Sequence, residues 1–316
     1  MRVAVLDDYQ HVAMTMADWT QLPGDVIVTC FTDHQPAPDV LAERLSGYEI
    51  VCIMRERTPF TREVFTKLPD LKLLITTGMR NASVDMQAAA DHGVTVCGTS
   101  GSGHPTPELA FGLILSLARN IPNENAAMRH GHWQTKVGLG LKGRTLGLLG
   151  LGKLGSRVAQ YAQAFEMNLI AWSQNLTAEA AAAKGVQRVE KDELFRQSDF
   201  LSVHLVLSER SRGLVGAREL GLMKPTAYIV NTSRGPIIDE AALAEALQQR
   251  RIAGAGLDTY GVEPVPKDCP FLDLPNTVLT PHLGYVTEDT YEIFYGETVE
   301  NILAWLKGEP VRVITA

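Results

Sequence analysis

The sequence predicts an α/β fold of two units, each a parallel sheet covered by helices, and three observations carry that expectation. Short aliphatic or β-branched runs alternate along the chain with amphipathic stretches, which is the rhythm of consecutive βαβ units. The eleven such runs exceed a usual single sheet of about five or six strands. A chain of 316 residues, 45% hydrophobic and 21% charged, also has enough apolar material for more than one core.

Taken in order, the first set of strand candidates reads "RVAVL", "DVIVTCF", "EIVCIM", "KLLITT" and "VTVC". The second reads "TLGLLG", "NLIAW", "DFLSVHL", "AYIVNT", "AGAGLD" and "NTVLT". Between them, "TREVFTKL" and "DEAALAEALQQRR" place apolar residues three and four apart with a polar opposite face, the pattern of surface helices. The most apolar helix candidate, "PELAFGLILSLARN" at 107–120, separates the two strand sets and is the expected crossing element. The last, "VTEDTYEIFYGETVENILAWLKG", follows the final strand and can return the chain to the first unit. No repeat or low-complexity tract interrupts this order.

Charge and cysteine usage narrow the function classes. A formal charge of −7 with scattered Lys and Arg gives no basic footprint for nucleic acid or for an anionic membrane. No apolar run reaches the length of a membrane span, and "MRVAVLDD" turns acidic at once instead of continuing as a signal peptide. Cys30, Cys52, Cys97 and Cys269 lie far apart without metal-ligand spacing, so buried reduced thiols, no metal site and a cytoplasmic setting are expected.

Residues 137–155, "VGLGLKGRTLGLLGLGKLG", contain the spacing GxGxxG twice. A dinucleotide loop needs a strand before its first glycine and a helix opening at its end. Only the second copy has both. "RTLGLL" can be a buried strand, and after Gly152 the residues Leu154, Val158, Ala162 and Phe165 recur at helical spacing; the copy at Gly138, Gly140 and Gly143 is expected to be a turn or linker. Gly150 then makes the tight turn, Gly152 lets backbone amides approach a pyrophosphate, Gly155 lets helix and strand pack, and Lys153 and Leu154 open the helix whose N-terminus faces the phosphates.

The acidic residue that usually ends the next strand is missing, because "NLIAWSQN" puts Ser173 there. NAD is expected as cofactor, with NADP tolerated: no carboxylate repels a 2′-phosphate, and no Arg or Lys in 171–183 selects for one. Lys184 follows only after an intervening helix candidate.

Three polar residues stand just past strand candidates, Arg234 in "NTSRGPIID", Glu263 in "GLDTYGVEP" and His282 in "LTPHLG". Each alone reads more readily as a surface Arg, a solvated Glu or a His satisfied by backbone than as a catalytic group. Together they can move a proton beside a hydride acceptor. His titrates near neutrality, a carboxylate can orient it and favour its charged form, and Arg can grip a carboxylate or polarise a carbonyl.

The ordered motifs "GRTLGLLGLGKLG", "SDFLSVHLVLSERSRGLVG", "MKPTAYIVNTSRGPIIDEAALAEAL", "AGAGLDTYGVEP" and "NTVLTPHLGY" resemble the D-isomer-specific 2-hydroxyacid dehydrogenase family over nearly the whole chain. Before residue 100 the resemblance is looser, through "LLITTGMRNASVDMQAAADHGVTVCGTSG". It implies a Rossmann dinucleotide-binding domain (100–284) inserted into a flavodoxin-like substrate domain (1–99 plus 285–316), an active site in the cleft, and a homodimer. It also implies hydride transfer between NAD(P)H and a 2-oxo acid or D-2-hydroxy acid, with Arg234 holding substrate, His282 as acid and Glu263 orienting it. Thr232 and Asp258 fall where relatives contact the nicotinamide end.

Several positions depart from the family pattern. "GMRNASVD" replaces a Gly-x-Gly turn, placing Gly78, Met79 and Arg80 in the loop that meets the substrate carboxylate. Arg55 in "MRERTPF" stands where some relatives bind a distal anionic group; an exposed Arg beside Glu56 is the alternative. With Arg80 it hints at a dianionic or polar substrate. Val206 replaces a Pro after "HL", and His104, His130, His132 and Trp133 are expected to pack or pair near the domain crossing instead of reacting. Competing functions on the same scaffold are an NAD-responsive, corepressor-like interaction protein and a formate- or phosphite-type dehydrogenase.

Overall fold

The computed structural model describes residues 1–315, which form two compact units, one of Met1–Ser102 with the chain from Val286 onward and one of Gly103–Tyr285. In the first unit the apolar runs become β1 (Arg2–Val5), β2 (Ile27–Cys30), β3 (Ile50–Ile53), β4 (Leu73–Thr76) and β5 (Thr95–Gly98). They pair in parallel in the order β2-β1-β3-β4-β5, the flavodoxin-like order. β3 and β4 are buried along their whole length, so they read as continuous apolar runs and do not alternate.

Helices α1 (Pro38–Arg44), α2 (Arg62–Lys67) and α3 (Met86–Asp91) link these strands. Asp85 caps α3 by accepting from Ala88 N at 2.8 Å, satisfying one of the amides a helix start leaves free. Leu41, Phe65 and Ala88 carry the helices into a core with Val51, Ile53 and Leu74.

The second unit opens with α4 (Pro105–Arg119), started by Pro105 and ended by Asn120 in the left-handed region (φ 54°). Then follows α5 (Ile121–Arg129), which has no buried residue. The remaining elements in order are β6 (Thr145–Leu149), α6 (Lys153–Ala164), β7 (Asn168–Trp172), α7 (Ala178–Ala182), β8 (Gln187–Arg188), α8 (Lys191–Gln197), β9 (Phe200–Val203), α9 (Ala217–Leu222), β10 (Tyr228–Asn231), α10 (Glu240–Gln248), β11 (Gly254–Leu257) and β12 (Thr277–Leu279). Their sheet runs β12-β11-β10-β9-β6-β7-β8, all parallel, which is the doubly wound Rossmann order with one further strand at an edge.

Two cores cover this sheet. Leu146 and Leu148 of β6 pack with Phe111, Ile114, Val158 and Ala162 of α4 and α6, while Leu149 turns to the opposite face with Phe195, Leu220 and Leu243 of α8, α9 and α10. The chain then returns to the first unit through α11 (Glu288–Leu306). There Asn301 Nδ2 donates to Gly98 O at 2.8 Å, and the Tyr295 ring lies 6.4 Å from Trp19.

The α/β class, the eleven expected strands and the expected helices are all present. The two-residue β8 was not legible, since Gln187 and Arg188 form no apolar run. Phe165, the last of the residues at helical spacing after Gly152, is the C-cap of α6, 42% exposed, with its ring 4.9 Å from Phe111. All four cysteines are free, but only Cys52 and Cys97 are buried; Cys30 and Cys269 are half-buried. No helix among the described residues is long and apolar enough to cross a membrane.

Candidate active site

Gly150 follows β6 with φ +105°, a conformation that disfavours any other residue, and a Cβ there would meet His204 O at 2.7 Å. Gly155 sits in the first turn of α6, where a Cβ would fall 2.2 Å from Gly150 O, so strand and helix approach as closely as backbones allow. At Gly152 a Cβ would meet nothing within 4 Å, and this residue caps α6 ahead of Lys153 and Leu154. The space over Gly152 and the free amides of the first turn suit an anion. Gly138, Gly140 and Gly143 lie in loop and turn, as the missing strand implied.

Ser173 is the first residue after β7, and the strand's last carbonyl, Trp172 O, accepts from Gly150 N at 2.9 Å. The end of β7 therefore stands beside the glycine turn. Although Lys184 comes only after α7 in the sequence, its Nζ donates to Leu151 O at 2.7 Å, inside the glycine loop itself. A cation does reach this loop, brought there by the path of α7, which residue spacing does not reveal.

The polar triad gathers at the ends of β10, β11 and β12. After β10, Asn231 holds the turn by accepting from Ser233 N at 3.0 Å and donating to Arg234 O at 3.0 Å, while Arg234 Nη1 donates to Ser233 O at 2.8 Å. After β11, Glu263 Oε1 accepts from Tyr260 N at 2.9 Å and Oε2 lies 2.6 Å from His282 Nδ1. An ionised carboxylate only accepts, so Nδ1 carries the proton of that contact and Nε2 is the nitrogen left for chemistry. His282 and Glu263 side chains are 13% and 20% exposed, which strengthens their attraction relative to open water. The Tyr285 ring packs edge-on to the imidazole at 5.4 Å.

His282 adopts φ +55°, a left-handed conformation that costs a β-carbon residue about 1–2 kcal/mol. Asp258 holds the chain there. Its Oδ1 accepts from Thr280 Oγ1 at 2.6 Å and Leu283 N at 2.7 Å, and its Oδ2 from Gly284 N at 2.9 Å. Burial pushes the Asp258 carboxyl above the usual carboxylate range, opposed by those hydrogen bonds and by His282. Two positions before Arg234, Thr232 Oγ1 is buried with no hydrogen-bond partner among the described residues.

In the first unit, Gly78 is buried with φ +91°, and its amide donates to Thr99 Oγ1 at 2.9 Å. The Arg55 guanidinium lies over it, so that a Cβ at 78 would fall 1.9 Å from Nη1. Arg55 also donates to Thr77 O at 3.2 Å and is 25% exposed at the side chain, so it packs on the loop instead of projecting into solvent. Met79 and Arg80 are exposed and border a cavity of about 270 Å³ with Val84, Met86, Val96 and Ile314. Two of the histidines expected to pair do so: His104 Nδ1 is 2.7 Å from Arg157 Nη1, and His130 Nδ1 is 2.8 Å from Ala126 O, while His132 is exposed. Trp133 is 75% exposed. Nothing in the structure explains Val206, which is exposed. No cluster of His, Cys, Asp and Glu among the described residues could hold a metal.

A Rossmann sheet with its glycine loop intact and a carboxylate-oriented His at the carboxyl ends of neighbouring strands define a dinucleotide-dependent dehydrogenase scaffold. The family model for the NAD binding domain of D-isomer specific 2-hydroxyacid dehydrogenases matches residues 111–284. D-3-phosphoglycerate dehydrogenase of Methanocaldococcus jannaschii is 37% identical over 85% of this chain and 52% of its own, so the chain spans about half the length of that relative. Glyoxylate reductase of Thermococcus litoralis is 34% identical over 87% of this chain and 85% of its own. The crystal structure of phosphoglycerate oxidoreductase from Vibrio cholerae superposes with a TM-score of 0.93 at 37% identity, covering 98% of this chain and 99% of that one. This chain belongs to the D-isomer specific 2-hydroxyacid dehydrogenase family.

The matched domain binds NAD, and the residues present fit that group. The glycine cradle leaves room for a pyrophosphate at Gly152, and the orphaned Thr232 hydroxyl offers a buried polar atom two positions before Arg234.

Proposed function

We propose that this chain interconverts a 2-oxo acid and a D-2-hydroxy acid, with His282 as the acid, Glu263 as its orienter and Arg234 as the substrate clamp. The observation that carries the reading is the 2.6 Å contact between His282 Nδ1 and Glu263 Oε2, which fixes the tautomer and leaves Nε2 free to deliver or take the hydroxyl proton. Bound NAD supplies the hydride donor or acceptor. Gly150, Gly152, Lys153, Leu154 and Gly155 hold its pyrophosphate, Ser173 its adenine ribose, and Thr232 and Asp258 stand at its nicotinamide end. Arg234 presents a planar fork suited to a carboxylate and the adjacent carbonyl oxygen, so negative charge building on that oxygen is met before Nε2 protonates it.

The same reading gives the Gly78–Met79–Arg80 backbone the substrate carboxylate, and Arg55 and Arg80 a polar or second anionic group. Lys184 and the absent carboxylate at Ser173 favour tolerance of NADP beside NAD. A homodimer is supported by α5 and the segment after it, where Ile121, Met128, Trp133 and Val137 are exposed apolar residues on an element with no buried face. Sedimentation of the native chain as a monomer would remove that part. Four free cysteines and a charge of −7 agree with a reducing cytoplasm and small-molecule partners, without nucleic acid or membrane. Loss of reduced-cofactor absorbance over a panel of 2-oxo acids, including glyoxylate, hydroxypyruvate and 2-oxoglutarate, tests the reading. Turnover of none of them with either cofactor would sink it.

A further inference from the structure

The turn that carries Arg234 and the turn that carries Glu263 meet backbone to backbone. Gly235 lies at the contact, where a Cβ would fall 2.1 Å from the Tyr260 carbonyl carbon and 2.5 Å from Gly261 N. Arg234 and Gly235 continue through Ile237 and the N-cap Asp239, whose Oδ1 accepts from Ala242 N at 3.1 Å, into α10. The first residue of that helix, Glu240, reaches back: its Oε1 accepts from Gly261 N at 2.6 Å. The preceding amide, Tyr260 N, donates to Glu263. Two consecutive N–H groups are thus held by two carboxylates, one inside the Glu263 turn and one from the segment that carries Arg234.

We infer that Glu240 is a positioning residue for the proposed reaction, locking the Arg234 turn to the Glu263 turn and so setting the Glu263–His282 pair against the Arg234 clamp. The inference rests on the function proposed above. A carboxylate in the first turn of a helix is favoured by the helix dipole, and its bond to a backbone N–H is charge-assisted and short. The bond is exposed to solvent, so it adds little to stability beside the core that buries Ile237, Leu243 and Tyr260. What it constrains is the turn that carries Glu263, at the place where that turn meets Gly235. Reacting groups lose up to about 10²-fold in rate when displaced by about 1 Å, so modest loosening is readable in kcat.

Glu240→Ala is expected to lower kcat about 10- to 50-fold, with the KM for NADH within about twofold, because the glycine loop after β6 is untouched. Glu240→Gln keeps an oxygen that can accept from Gly261 N and is expected to recover kcat to within about threefold of the parent. Glu263→Gln and His282→Asn, measured in parallel, report on the catalytic reading itself. If they turn over normally, the reading of the site fails. If they lose activity while Glu240→Ala keeps the parent kcat, the positioning role fails and the site stands. A Gln variant no better than Ala, or a loss of NADH affinity as large as the loss of kcat, also overturns the positioning role.

Discussion

Adding one carbon at Gly235 is the most local way to move the clamp away from the acid. The Cβ of Gly235→Ala would sit 2.1 Å from the Tyr260 carbonyl carbon and 2.4 Å from its oxygen, against 3.4 Å for ordinary contact, and all of those atoms are backbone. The neighbour cannot rotate away, so the two turns must part by about 1 Å, the displacement at which oriented reactions lose about 10²-fold. The glycine loop, Ser173 and the core residues of β6 and α6 are not involved. The expected outcome is a kcat lowered about 100-fold, unchanged NADH affinity by fluorescence titration, and a melting temperature a few degrees lower. A variant with parent kcat would refute the idea that the spacing of these two turns matters. Equal losses of NADH affinity and kcat would mean that the unit as a whole had loosened.

Other outcomes follow from the same contacts. Gly155→Ala must push α6 away from Gly150 O, so NADH affinity should fall at least about tenfold while kcat at saturation changes little; unchanged affinity would place the pyrophosphate elsewhere. His204 is half-buried, with Nε2 2.8 Å from Ser202 Oγ, and loss of solvent around the imidazole drives its pKa down from 6.5 to about 4. Between those values the unfolded chain binds a proton that the folded chain does not, so stability is lost as pH falls from 6.5 toward 4, by at most about 3 kcal/mol from this group. Denaturant titrations at several pH values check the slope, and a His204→Gln variant with the same slope would assign it to other groups. Ser173→Asp should cut NADPH efficiency about tenfold or more by repulsion while sparing NADH; an unaffected NADPH rate would mean that Ser173 is not beside the ribose.

The sheets were legible because parallel strands buried on both faces are written largely as continuous apolar runs, as in β3 and in Leu73–Ile75 of β4. The choice between the two glycine motifs was legible for a related reason: a buried strand leaves an apolar run before the loop, and a helix leaves a period-3.6 trace after it. The catalytic set could be proposed because Arg234, Glu263 and His282 each follow a strand end. What escaped the sequence depends on contacts between segments. Lys184 reaches Leu151 O across α7, Glu240 reaches Gly261 N across a turn, and Asp258 grips the His282 turn from 22 to 26 positions away. Side-chain reach across segments has no periodicity to read. Arg55 shows the same limit: its packing over Gly78 depends on the left-handed turn there, which its neighbour Glu56 does not announce.

The proposed role of His282 is tested most directly by the single-turnover rate of 2-oxo acid reduction in His282→Asn, at saturating NADH, against the parent enzyme. Asn keeps a polar side chain in the left-handed backbone position but cannot deliver a proton. The account predicts a rate lower by about 10²–10⁴-fold with NADH affinity retained. A His282→Asn enzyme that reduces the acid at the parent rate would contradict it.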